Sequence, residues 1–312
     1  MKLTRREFLK ICGGSAAAIG ISQLYIPGVA EALERAVAGN PPVIWLQGLS
    51  DAGCSISLLN TAHPSISEVL LKIVSLEFHQ TVMASQGDQA IQIMERIAKK
   101  FKKKFIFVFE GSIPTKDNGI YATVGEKDGK GITCLDWARE LGRNAKYIMA
   151  VGTCATYGGI PAGKPNPTGA KSVADVIKDK VIVNVPGCPP HPDWILGTLI
   201  HLILYGMPEL DDLGRPKLFF GKKIHHNCPN YSYFLNGEFA KNLSDEGCLY
   251  TLGCKGPYTF ADCPLRHWNG GVNWCIGSKA PCIGCCQPEF PDDLAPFYHY
   301  YPLYLYYLYY KR

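Results

Sequence analysis

The chain has 312 residues, 47% of them hydrophobic and 19% charged, with a formal net charge of +5. That composition excludes a disordered or fibrous chain, and a small positive charge without a long basic run gives no electrostatic ground for nucleic-acid binding. The 13 cysteines are too sparse for a disulfide-stapled miniprotein, yet far more than packing requires.

In chain order, Thr4-Arg5-Arg6-Glu7-Phe8-Leu9-Lys10 precede a soft apolar stretch over 11–26 that Gly13, Gly14 and Gly20 interrupt. Small residues follow around Ala30 and Ala32. Residues 1–38 therefore read as a twin-arginine export signal, too short and soft for a membrane span. Such a route carries folded proteins and suits a chain that takes up metal before export. A periplasmic location, or the outer face of the cytoplasmic membrane, is expected.

Residues 39–207 alternate strand and helix. Apolar, β-rich runs at 43–48, 105–111, 146–152 and 181–185 are bounded by Gly or Pro and read as strands. Ser65 and Glu68 form a capping-box pattern that predicts a helix toward Met83. Asp88 is placed to cap a second helix, with Ile91, Met94, Ile97, Ala98 and Phe101 on one face. The run Lys99 to Lys104 reads as its solvated end. A third helix runs from Cys134 to a stop at Gly142, and a fourth, strongly apolar, from Asp193 to Tyr205. The alternation argues an α/β fold with a doubly wound, flavodoxin-like parallel sheet.

Past Gly206 the texture changes. Residues 208–297 are rich in Cys, Pro, Gly, Asn and aromatics with little periodicity, so this second domain needs staples, either disulfides or metal. The tail, 298–312, is dominated by tyrosine and ends Lys311-Arg312; it suits a membrane interface or a partner's groove, or lies on its own domain.

Cys54, Cys154 and Cys188 each sit just past a predicted strand end, where ligands collect in an open parallel sheet. The second domain supplies His225, Cys228, Cys248, Cys254, Cys263, Cys275, Cys282, Cys285 and Cys286. Groups of about four sulfur or imidazole donors, separated by Pro and Gly turns, favour iron–sulfur clusters. Zinc and, in an exported chain, disulfides remain open on spacing alone.

The segments Trp45-Leu46-Gln47-Gly48, Leu58-Leu59-Asn60, Phe109-Glu110-Gly111-Ser112-Ile113-Pro114, Gly152-Thr153-Cys154-Ala155-Thr156, Val185-Pro186-Gly187-Cys188-Pro189-Pro190-His191-Pro192 and Cys282-Ile283-Gly284-Cys285 resemble the small subunit of a periplasmic or membrane-associated [NiFe] hydrogenase. The likeness runs from about Val43 to Pro291. It implies three iron–sulfur clusters relaying electrons from hydrogen oxidised at a separate large subunit to an external acceptor, such as a cytochrome or ferredoxin-like protein. By motif, Cys54, Cys154 and Cys188 would hold the proximal cluster, His225, Cys228, Cys248 and Cys254 the distal one, and Cys263, Cys282 and Cys285 the medial one. The nickel-binding motifs of the large subunit are absent here, so no catalytic residue is assigned to this chain. Uptake is the direction expected of an exported form, and membrane association would come through partners or the tail.

Two departures from the family pattern matter. Asp51 stands at the first position of the usual proximal Cys-x-x-Cys, in Asp51-Ala52-Gly53-Cys54, and is read as the fourth proximal ligand; the alternative leaves it a hydrogen-bond acceptor, with water or Ser50 on the iron. Cys275 stands where many relatives have Pro and offers a fourth medial thiolate, so three [4Fe–4S] clusters are expected. Gly53 and Gly159 stand where oxygen-tolerant relatives carry extra cysteines, which argues against their specialised proximal cluster.

Glu110 is read either as a proton-relay member or as a buried, hydrogen-bonded group. His63, His79 and His191 read as packing or capping residues, Cys134 as a small buried one, and Cys286 as a lesser alternative to Cys285. Two other readings remain: a stand-alone multicluster electron carrier, and a zinc- or disulfide-stabilised secreted binding protein.

Overall fold

In the computed structural model the described residues are 41–62, 64–70 and 74–291. The export segment with Cys12, His63 and the tyrosine-rich tail lie outside them.

Five strands build the central sheet: β1 Pro42–Gln47, β2 Ser75–His79, β3 Ile106–Glu110, β4 Tyr147–Val151 and β5 Ile182–Val185. Their order is β2-β1-β3-β4-β5 and every pairing is parallel. This is the flavodoxin-like order. β3 and β5 are buried along their whole length, as expected of parallel strands covered on both faces.

The helices that position the rest are α1 Gly53–Leu59, α2 Gly87–Lys100, α3 Cys134–Asn144 and α4 Pro192–Leu204. The two-residue period of the strands sorts the core into two layers. Ile44, Leu46, Phe107, Phe109, Ile148 and Ala150 face one side, against Met94 and Ile97 of α2 and Trp137 and Leu141 of α3. Val43, Trp45, Val108, Val151 and Val185 face the other, where they share one core with α4 and with Phe219, Phe220, Ile224, Ala261 and Trp274 of the C-terminal region.

Among the described residues that region is built from short helices and turns, Tyr231–Asn236 being the longest helix there. Polar braces tie it to α4. Arg266 reaches Asp262 at 2.6 Å and Asp193 at 2.8 Å, and its guanidinium lies 5.1 Å from the Phe219 ring. The indole N–H of Trp194 donates to Asp262 at 2.7 Å. A buried guanidinium is tolerated because two carboxylates and a ring face it.

Three details depart from the sequence reading. The Ser65–Glu68 capping box forms, but its helix does not run to Met83: Ser75–His79 is an edge strand instead. Phe78 and His79 are both buried there, and pairing with β1 outweighs the helical pattern. The cap of α2 is Gln86, and Asp88 sits in the first turn, where its charge still suits the helix dipole. Gly142 lies within α3, which runs on to Asn144; Thr133 and Asp136 form the capping box at its start. No helix among the described residues is long and apolar enough to cross a membrane.

Phe107 is fully buried at the centre of the sheet. Phe107→Ala should lower unfolding stability by about 3–5 kcal/mol, read from the shifted midpoint of a denaturant titration.

Candidate metal centres

The first donor set forms at the carboxyl ends of the strands. Cys54 enters α1 directly after the β1 loop, Cys154 lies in the short helix Thr153–Tyr157 after β4, and Cys188 follows β5. Backbone bonds keep the last two loops in step beyond the strands: Gly152 N–H donates to Val185 O and Thr153 N–H to Gly187 O, each at 2.9 Å. Gly152 has φ +89°, and a Cβ there would stand 2.5 Å from the Cys54 sulfur. No other residue fits that cradle.

Each of these thiols lies within the electrostatic reach of others in the group. Burial first, and then Glu110, Cys154, Cys188 and Asp51, push the Cys54 thiol well above its usual range. Burial and then Cys154, Cys285 and Asp51 push Cys188 up to about 12. Cys154 is raised by burial, with Asp51 and Glu110 adding and main-chain N–H groups opposing. Such thiols stay protonated unless a metal supplies the compensating charge. Asp51 is exposed, and its Oδ1 accepts from Gly53 N–H at 2.8 Å.

Behind this set, at the end of β3, lies Glu110, which is fully buried. Its Oε1 accepts from Ser50 Oγ at 3.0 Å, Cys54 N at 3.1 Å and Ser55 N at 3.4 Å. Its Oε2 accepts from Trp45 Nε1 at 2.9 Å, from Gln47 Nε2 at 3.1 Å and from the Ser55 hydroxyl. Six donors saturate a carboxylate that offers about four lone-pair sites. Of the two readings of Glu110, the geometry favours the buried, hydrogen-bonded one. His79 packs against this network, its Nε2 lying 3.1 Å from Ser55 Oγ and its ring stacked on Trp45. His191 caps α4 by accepting from Asp193 N–H.

Cys263, Cys275, Cys282 and Cys285, expected from the motifs to act together, form the second candidate set. Cys263 is pushed well up by burial and then by Cys285, Asp262 and Cys275, and Cys282 by burial and then by Cys254, Cys285 and Cys263. Cys275 stands at the exposed rim, its thiol raised by burial and then by Cys285. Cys286 is fully buried, with its sulfur 3.8 Å from that of Cys285.

The third set, His225, Cys228, Cys248 and Cys254, lines one small pocket together with Pro257 and Ile276. Burial, then His226 and Lys223, lower His225 to about 4, so its imidazole is neutral at ordinary pH and in the form that binds metal. Tyr231 and Phe234 hold the ring edge-on. Burial raises Cys248 to about 12 and Cys254 to about 11. The Cys254 sulfur accepts from Gly256 N–H at 3.5 Å and from Cys282 N–H at 3.4 Å, which ties the third set to the second.

All twelve described cysteines are free, and 3.8 Å between Cys285 and Cys286 is far beyond a disulfide bond. Among the described residues no group of three or more His, Cys, Asp or Glu side chains is drawn tightly together. Buried thiols, a neutral imidazole and amide N–H groups aimed at sulfur fit iron–sulfur clusters. Sequence reasoning missed Thr153 and Ser55. Their partners lie far away in the chain, so no local pattern reveals them.

A family model for the 20 kDa subunit of NADH–ubiquinone oxidoreductase matches residues 52–202, and one for the C-terminal part of the NiFe/NiFeSe hydrogenase small subunit matches 220–298. The chain is 51% identical to the periplasmic [NiFeSe] hydrogenase small subunit of Desulfomicrobium baculatum, over 96% of this chain and 99% of that protein. It is 40% identical to the periplasmic [NiFe] hydrogenase small subunit 1 of Nitratidesulfovibrio vulgaris, over 95% and 93%. The crystal structure of the reduced, active NiFeSe hydrogenase from Desulfomicrobium baculatum superposes with a TM-score of 0.80 at 50% identity, over 84% of this chain and 100% of that one. An actinobacterial-type NiFe hydrogenase from Ralstonia eutropha gives 0.77 at 31% identity, over 85% and 83%.

Glu110→Ala should free six donors and cost about 3–5 kcal/mol, as removing one partner from a buried charge network does. Glu110→Gln should cost less but still destabilise, because one carboxylate oxygen becomes an NH₂ facing donors. Denaturant unfolding of the two variants beside the native chain measures both.

Proposed function

The chain belongs to the small-subunit family of nickel–iron hydrogenases, whose active site lies in a large-subunit partner, and we propose that it carries electrons between that partner and an external acceptor through three four-iron clusters. The observation that carries the reading is the gathering of Cys54, Cys154, Cys188 and Asp51 in one electrostatic neighbourhood at the carboxyl edge of the sheet. Cys54, Cys154 and Cys188 would hold the proximal cluster with Asp51 as fourth ligand. Cys263, Cys275, Cys282 and Cys285 would hold the medial cluster, and His225, Cys228, Cys248 and Cys254 the distal one.

A bound iron–sulfur cluster supplies a one-electron redox site whose potential follows its ligands, hydrogen bonds and exposure. The rest is work for this chain's residues. Gly152 leaves room beside the Cys54 sulfur. Glu110 fixes the turn that presents Asp51 and Cys54. Phe234, Tyr231 and Ile276 keep water from the His225 site. Gly256, Cys282 and Gly284 aim main-chain N–H groups at the Cys254 and Cys282 sulfurs, which stabilises the thiolate form.

Asp51 is a ligand of harder character than thiolate, and with Oδ1 held by Gly53 it has a second oxygen to offer iron. The relatives named periplasmic, together with the twin-arginine pattern at Arg5 and Arg6, support export to the periplasm and work in the uptake direction. The acceptor is a one-electron carrier, such as a cytochrome or ferredoxin-like protein, that meets the His225 side of the molecule. Membrane association, if the complex has it, runs through a partner or the tail.

Two substitutions in the intact complex test the ligand sets. Asp51→Ala should change the EPR spectrum of the proximal cluster; an unchanged spectrum removes Asp51 from the ligand set. Cys275→Ala should cost the medial cluster one of four irons and give a three-iron EPR signature at higher potential. A three-iron signature already present in the anaerobic native complex would count against Cys275.

A further inference from the structure

Thr153 is almost fully buried, beside the Cys188 loop and the backbone of Cys285. It precedes Cys154. Its hydroxyl accepts from the main-chain N–H of Gly187, the residue before Cys188, at 2.9 Å. The same hydroxyl donates to the main-chain carbonyl of Cys285. One oxygen therefore joins the Cys154 loop, the Cys188 loop and the Cys285 loop. The Cys188 and Cys285 thiols also lie within each other's field, so the two sets are neighbours where the hydroxyl spans them.

Electron tunnelling falls off less steeply along covalent and hydrogen-bonded contacts than across gaps between packed atoms. Two bonded routes leave the proximal set toward Thr153. One runs back along the chain from Cys154, and the other from Cys188 through Gly187 N–H. Both converge on Thr153 Oγ1 and continue through a single hydrogen bond to the backbone of Cys285.

We propose that the Thr153 hydroxyl is the bridge that couples the proximal and medial sites electronically. The inference rests on the relay reading above. In the coupled step one electron leaves the proximal site as one arrives at the medial site, and no proton or bond changes hands at Thr153. Its hydroxyl is the replaceable element, because Val keeps the shape of Thr and lacks the oxygen.

The test uses the intact complex with Thr153→Val and Thr153→Ser. Iron content and the midpoint potentials of both clusters are measured first. The complexes are then mixed with hydrogen, freeze-quenched, and followed by EPR for the delay between reduction of the proximal and medial clusters. The expected result is a several-fold longer delay in Thr153→Val with iron and midpoints retained, and a native delay in Thr153→Ser. A native delay in the Val variant overturns the proposal, as does a lengthened delay that Ser fails to restore. If the Val variant loses iron, Thr153→Ala, which also lacks the hydroxyl and crowds nothing, is read in its place. A native complex with no EPR-active medial cluster would sink the relay reading itself, and that result is visible before any variant is made.

Discussion

The structure turns on one buried carboxylate. Glu110 sits at the end of the central strand, between β1 and β4, with its charge out of reach of water. Such a charge persists inside a protein only if it is thoroughly hydrogen-bonded. Here the bonds come from the end of β1 and from the turn that follows it: Trp45, Gln47, Ser50, Cys54 and Ser55 all donate to it. The requirement to satisfy Glu110 thus shapes the turn that carries Asp51 and Cys54.

A second constraint works on the sulfurs. Thiols prefer to stay protonated when buried among other sulfurs and carboxylates, and most of the donor cysteines here are raised for that reason. On the proposed reading, these thiols are unfavourable as thiolates until cationic iron enters. Main-chain N–H groups directed at Cys254 and Cys282 lower that barrier without adding side-chain charge. On the same reading, metal uptake and the final packing of the C-terminal region would be coupled.

Residues 208–291 hold a fold with so little regular structure by leaning on the sheet domain. Their apolar side chains do not close a large core of their own. Phe219, Phe220, Ile224 and Trp274 join the core beneath the sheet, and Arg266 locks onto Asp193 at the start of α4. The smaller cluster of Phe234, Cys248 and Tyr250 sits beside the third donor set.

Much of this was legible in the amino-acid order. Continuous apolar strands bounded by Gly and Pro dictated a covered parallel sheet, and cysteines placed after strand ends pointed to its carboxyl edge, because both patterns are local and repeat at short range. The edge strand at Ser75 was hidden, since a genuine capping box ten residues earlier mimics the start of a longer helix. The bonds to Glu110 from Cys54 and Ser55, and the reach of Thr153 to Cys285, span 55 to 132 residues. Only the folded chain decides such pairings, because a hydrogen bond depends on where two groups end in space and carries no periodic trace in the sequence.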